Sequence, residues 1–277
     1  MAGEDLLEKL YARLLGVGSP VALEAAASDL LATRSIPLAS RVLERLLSDD
    51  GRFRVAGGLV SAIPPRDPFE GKKLHEIGFA VLDFETNGLA PGERAIEVGL
   101  VVWNGGREAD AYETRLDPGT PLSPFVQRLT GIRPEELSGK PAFGAVWPEV
   151  ARRLEGRVLV AHNLPFDRRI LRREVSLLGR DLHVGRTGLC TVRLSRRLFP
   201  AEESHALDAA AGRFGLEFSA RHRALDDARV TARLLQRLLD EAASRYGVAT
   251  WDDLGRLLTQ VPARRSPRAC RRRRTAP

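Results

Sequence analysis

FAVLDFETNGL, residues 79–89, decides the fold. The run from Phe79 to Thr86 has the apolar density of a strand buried on both faces, and Asn87-Gly88 is a turn signal at its end. Side chains alternate along a strand, so Asp83 and Glu85 share one face while Phe84 points to the other. Two neighbouring carboxylates repel and need compensation. Hard divalent cations use such oxygen pairs. The turn places the pair at the carboxyl end of the strand, where α/β sheets carry their sites. Taken singly, D-x-E is also compatible with a solvated strand end.

Outward from this strand the texture stays α/β. AIEVGLVVWNG (95–105) and AYETRL (111–116) read as further strands, and short connections predict an antiparallel meander. Helical patterns follow over 123–129 and 143–154. RVLVAHN (157–163) is a fourth, buried strand, and residues 164–179 form a helix ended by Gly179. LCTVRLSRRLF is a short strand entering a helix, HALDAAAGRFG is another helix, and the longest helix runs from about Ala224 to Arg245. Strands first, then strands alternating with helices, predict a mixed sheet covered by helices.

Residues 1–63 read as a small separate unit. Leu6, Leu10, Leu14 and the run Val21–Leu31 suggest two helices. Ile36–Leu47 suggests a third, with Val42, Leu43, Leu46 and Leu47 on one face. GRFRVAGGLVSAI then reads as a hairpin turning at Gly57-Gly58. This order suits a winged-helix domain, and equally a helical add-on used for packing. Residues 64–76, opening PPRDPFEGKK, have linker composition. The expected organisation is therefore 1–63, a linker over 64–76, an α/β domain over 77–245, a C-terminal helix over 246–261 and an arginine-rich tail over 262–277.

Of the 277 residues, 43% are apolar, enough for an ordinary core. No stretch is apolar over the ~18 residues a membrane span needs. The first residues lack a secretory layout, and two cysteines (Cys190 and Cys270) fit a reducing cytoplasm rather than a disulfide scaffold. The net charge is +7, but seven arginines and no acid fall after residue 261, so the rest is about neutral. Such a tail suits non-specific phosphate binding or a solvated end.

Two further acidic motifs complete the pattern. In HNLPFD (162–167), Asp167 falls in the first turn of a helix, where the dipole favours a carboxylate in any case. In HRALDDARV (222–230), advancing 100° per residue from Ala224 puts Ala228, Thr231, Leu234, Leu235, Leu238 and Leu239 on one stripe. At the same pitch Asp226 lies at about 200°, among Arg229, Arg233 and Arg237, whereas Asp227 lies at about 300°, between Leu234 and Leu238. A buried carboxylate needs an arginine partner or a metal.

The order D-x-E, N-x-x-x-F-D and H-x-A-x-x-D-A over residues 77–245 resembles the DEDDh class of 3′-to-5′ exonucleases, which includes the proofreading subunit of bacterial DNA polymerase III. The resemblance implies a ribonuclease H-like fold, a mixed five-stranded sheet flanked by helices. It makes Asp83, Glu85, Asp167 and Asp227 the metal-binding acids and His222 the general base. Thr86, Leu89, Asn163 and Phe166 match positions that support the site or touch terminal nucleotides. His162 is left structural. Cys190-Thr191 departs from the Asp-Thr of many members, at a position outside the four acids. The resemblance further implies two Mg²⁺ or Mn²⁺ ions, about 3.5–4 Å apart, holding attacking and leaving oxygens. The implied activity is removal of nucleotides from single-stranded DNA 3′ ends in proofreading or repair, with a DNA polymerase as partner and no membrane. RNA trimming stays open, because no short signal reports on the 2′-OH. A non-catalytic nucleic-acid-binding module and a polymerase-docked scaffold are the readings from other classes. The tail carries no clear sliding-clamp motif.

Overall fold

The computed structural model describes residues 2–31, 35–63, 66–88 and 92–259. Leu89 and the arginine-rich tail lie outside them. The chain forms two compact units that divide between Pro68 and Phe69.

The first unit contains α1 (Ala2–Val17), β1 (Val21–Ala22), α2 (Leu23–Leu31), α3 (Ile36–Ser48), β2 (Phe53–Ala56) and β3 (Leu59–Ala62). β2 and β3 are the expected hairpin, and both glycines of its turn have positive φ. The strand β1 was not foreseen. Two residues of the expected second helix pair with β3 instead, giving an antiparallel sheet in the order β1-β3-β2. Leu10, Leu14, Ala26, Ala27, Leu43, Leu47 and Val60 make its core. The buried face of α3 is narrower than expected. Ala39, Leu43 and Leu47 recur at a four-residue spacing and face inward, while Val42 and Leu46 are about half exposed.

The second unit holds β4 (Phe79–Thr86), β5 (Ala95–Asn104), β6 (Arg107–Arg115), α4 (Pro124–Thr130), α5 (Pro134–Leu137), α6 (Phe143–Leu154), β7 (Val158–Ala161), α7 (Leu164–Ser176), β8 (Gly188–Cys190), α8 (Thr191–Leu198), α9 (Leu207–Gly212), α10 (Ala224–Tyr246) and α11 (Trp251–Thr259). The five strands lie in the order β6-β5-β4-β7-β8. β4, β5 and β6 form the antiparallel meander, and β7 and β8 run parallel to β4. Strand alternation splits the core in two. Phe79 and Val81 face α8, α9, α10 and α11, and Ala80, Leu82 and Phe84 face α6 and α7.

The stretch read as a linker over 64–76 does not behave as one beyond Pro68. Phe69 is 4% exposed and its ring lies 5.9 Å from that of Trp251. Lys73 bridges to Thr250, and the Trp251 N–H donates to the Lys72 carbonyl. One apolar residue in a polar run is enough to anchor this segment against α11. The helix expected over 246–261 begins only at Trp251, because Gly247 at φ 67° ends α10 and a loop follows; residues 260 and 261 lie outside the described residues.

Candidate active site

Asp83 and Glu85 lie on the β4 face that α10 covers, both partly exposed at the strand's carboxyl end. β4 is the sheet's middle strand. Its ladder to β7 stops at Val81, so the Phe84 N–H extends past it. That N–H donates to Asp167 Oδ1 over 3.2 Å. Asp167, in the first turn of α7 and 2% exposed, thus closes over the strand end from the other layer.

The approach of α10 rests on Gly99 of β5, the cross-strand partner of Asp83. A Cβ at Gly99 would lie 2.1 Å from the Ala224 carbonyl carbon, so only glycine lets the first turn of α10 touch the sheet. Glu97, fully buried on the same strand, accepts the Ala224 N–H at 2.9 Å and pairs with Arg223. Glu97 and Gly99 seat the turn that carries Asp227. Sequence reasoning missed both, although a lone glycine inside an apolar strand is the available signal for close backbone approach.

Asp227 is 4% exposed. Its Oδ2 accepts from Arg221, which also holds Asp208, while its Oδ1 is buried with no hydrogen-bond partner. The arginine partner open to Asp227 in the sequence therefore exists, but satisfies only one oxygen. Asp226 does not join the arginines of the outer face. It accepts from the Ala220 N–H, and Arg229 pairs with Glu108 instead. Asp226 tethers the loop leading to His222 rather than serving as a plain surface charge.

His222 has φ 60°, the left-handed region that a non-glycine residue enters at a cost. That turn brings its ring to the carboxylates: ligand atoms of Glu85, His222 and Asp227 all lie within 4.8 Å of one another. Thr86 is buried and donates to the Gly88 carbonyl at 2.8 Å. Asn163 caps α7 at φ 75° with its side chain exposed. Phe166 is partly buried beneath the Arg169 guanidinium. His162 is held by Thr191 Oγ1 and the His205 carbonyl, each at 2.9 Å, and burial pushes its pKa down to about 4. It is a neutral structural histidine at physiological pH.

The electrostatics are those of an acid cluster short of positive charge. Burial raises Asp83 well above the usual carboxylate range, and Asp167, Glu85 and Asp227 raise it further. Burial likewise raises Asp167. Glu85 is pushed up to about 7 by burial and then by Asp227 and Glu97. Asp227 is pushed up to about 6 by burial, against the pull of Arg221. Burial, and then Arg221, hold His222 below the ordinary histidine value. Four crowded carboxylates, one with an orphaned buried oxygen, fit a hard divalent cation. A cavity of about 620 Å³ lies elsewhere, at the start of β4 and the β5–β6 turn. It contains none of these residues.

Comparisons with known proteins place the chain in a family. Residues 80–235 match the family model Exonuclease (RNase_T). The chain is 35% identical over 209 residues to a DNA polymerase III PolC-type of Thermotoga maritima, covering 74% of this chain and 15% of the relative. It is 37% identical over 194 residues to a DNA polymerase III subunit epsilon-like protein of Rhodobacter capsulatus, covering 68% and 27%. It thus spans about a quarter or less of those two relatives. A DNA polymerase III subunit epsilon of Aquifex aeolicus is 29% identical over 180 residues, 65% of this chain and 89% of the relative. Among solved structures, exonuclease X in complex with 5′ overhanging duplex DNA matches with a TM-score of 0.51 and 25% identity, covering 63% of this chain and 98% of that one. The nuclease domain of 3′hExo, a DEDDh family member bound to rAMP, shares the fold with a TM-score of 0.54 and 21% identity, covering 61% and 94%.

Proposed function

Because the chain belongs to the RNase_T exonuclease family, we propose that its second unit is a metal-dependent 3′-to-5′ exonuclease acting on single-stranded DNA ends in proofreading or repair. The observation that carries this reading is the meeting of Glu85, His222 and Asp227 at the end of the strand that bears Asp83. Asp83, Glu85, Asp167 and Asp227 would hold Mg²⁺ or Mn²⁺, two ions per site. Bound there, the ions would supply charge stabilisation for the attacking and leaving oxygens. Thr86, Leu89, Asn163 and Phe166 would position the terminal nucleotides, and a DNA polymerase is the protein partner suggested by the relatives.

The chain's own residues account for the proton. Burial and Arg221 disfavour the charged form of His222, which suits its imidazole to accept a proton. Its imidazole takes a proton from the attacking water as the water oxygen bonds to phosphorus and the bond to the leaving 3′ oxygen breaks. The left-handed turn at His222, tied down through Asp226, holds the ring beside Glu85 and Asp227.

The test is incubation of the purified protein with labelled single-stranded DNA and RNA, with Mn²⁺ and with EDTA. Metal-dependent release of mononucleotides from the 3′ end of DNA is expected, and a His222→Ala variant should be slower by about 10²–10⁴-fold. Preference for RNA would move the reading to an exoribonuclease. Digestion of neither polymer would remove the enzymatic claim.

A further inference from the structure

On the far side of α7 from Asp167, a cleft of about 460 Å³ opens between the start of that helix and β8. Its rim carries Arg168, Arg172 and Arg193, with Leu164 and Cys190 in its floor, and no acidic residue lines it among the described residues. Arg169 also reaches it but is paired with Glu93. Among the described residues, Arg168, Arg172 and Arg193 have no carboxylate partner. Arg168 is half-buried. One terminal nitrogen donates to the carbonyls of Gly185 and Arg186 at 3.3 and 3.1 Å. Its Nε is buried with no partner. Gly188 makes room for this guanidinium, since a Cβ there would lie 2.0 Å from it. Burial and the neighbouring Arg172 both disfavour the charge on Arg168. Like charges gathered in a concave, acid-free cleft are the electrostatic complement of an anion.

The position of the cleft identifies that anion. β4, β7 and β8 are parallel, so the cleft at the end of β8 and the carboxylates at the end of β4 open on the same edge of the sheet. β7 alone separates them, a lateral step of about 10 Å. Each strand of a duplex advances ~3.4 Å per phosphate along the helix axis, and an extended single strand advances more, so phosphates within about three positions of the reacting one reach the cleft. We propose that Arg168, Arg172 and Arg193 form a second phosphodiester-binding site, which holds the nucleic-acid substrate away from the scissile bond. This rests on the exonuclease reading above.

The test uses Arg172 and Arg193, which are exposed, so that their truncation leaves the core untouched. Arg172→Ala/Arg193→Ala is compared with Arg233→Ala/Arg237→Ala, an equal charge change on the exposed face of α10. Binding of a fluorescent single strand and of a duplex with a 5′ overhang is measured against salt, with calcium replacing the catalytic metal. Losing two phosphate contacts should flatten the log–log salt dependence by about 1.4 on a single strand or by about 1.8 on a duplex. The control pair should leave it unchanged. A change already present on the single strand assigns the cleft to the cleaved strand, and a change with the duplex alone assigns it to the complementary strand. Hydrolysis of the p-nitrophenyl ester of thymidine 5′-phosphate, which has no further phosphates, should be the same in the cleft variant and the parent. Equal slopes for both double variants on both substrates would overturn the proposal. The binding result stands whether or not the ester is cleaved, and failure of the parent to cleave it counts against the exonuclease reading instead.

Discussion

At the residue scale, the orientations of Asp83, Glu85 and Asp227 were legible because each obeys a local rule, whereas the roles proposed for Asp167 and His222 come only with the family resemblance. Strand alternation pairs Asp83 with Glu85, and helix phase turns Asp227 inward. What the residues could not reveal was their partners. Arg221 lies six positions before Asp227 and reaches it only because the loop bends at His222. Asp226 had the right phase for the outer face, yet the Ala220 N–H captures it. The electrostatics give a test that needs no substrate. Glu85 titrates near 7 in the folded, metal-free protein, above its ordinary value, so the folded state binds this proton more tightly than the unfolded chain. Its contribution to stability is therefore whole below the unfolded pKa and is lost as pH rises through about 7. Asp227 acts in the same direction up to about 6. His162, depressed to about 4, acts oppositely, losing stability as pH falls from its ordinary value. Comparing the parent with Glu85→Gln in EDTA cancels the His162 contribution and isolates that of Glu85 together with its coupling to Asp227. The parent should lose more Tm than Glu85→Gln between pH 5 and pH 8. Identical pH profiles would show that Glu85 is not desolvated as described.

At the scale of elements, the long, strongly patterned segments were readable and the compromises were not. The stripe of α10 was correct as far as it went, but Val230, Ala232 and Ala242 are buried too, because α9, β5 and α8 enclose the helix more widely than one face. β6 begins at Arg107, earlier than its apolar residues suggest. As an edge strand it exposes Arg107, Glu108 and Ala109 to solvent, and charged residues there hide the strand signal. The least legible element contact is also the most consequential, the seat of α10 on Gly99. Adding one methyl at Gly99 should push the first turn of α10 off the sheet. Overpacking of this kind costs about 1–3 kcal/mol. For a domain of this size that is a Tm loss of several degrees, at about 2–4 °C per kcal/mol. Activity of Gly99→Ala should fall further than its stability, because Asp227 and His222 both depend on that turn. Thermal melting alongside steady-state kinetics checks this, and unchanged kinetics in a destabilised variant would separate the glycine from the site.

At the scale of the whole molecule, the mixed sheet and its helical layers followed from the order of patterned segments, as did the existence of a separate first unit. The edge between the units did not, since a single phenylalanine in a proline-rich run decides it. The second unit carries its own two-layer core and every described residue of the acid cluster. We propose that this cluster cuts nucleic acid from the 3′ end and that Asp227, not its neighbour, is the indispensable acid of the pair. The direct measurement follows a 5′-labelled single-stranded oligonucleotide with Mn²⁺ in the parent, Asp226→Asn and Asp227→Asn. The expected result is a ladder shortening one nucleotide at a time in the parent, a weaker but clear ladder in Asp226→Asn, and intact substrate in Asp227→Asn. A ladder that persists in Asp227→Asn and disappears in Asp226→Asn would assign the chemistry to Asp226 instead.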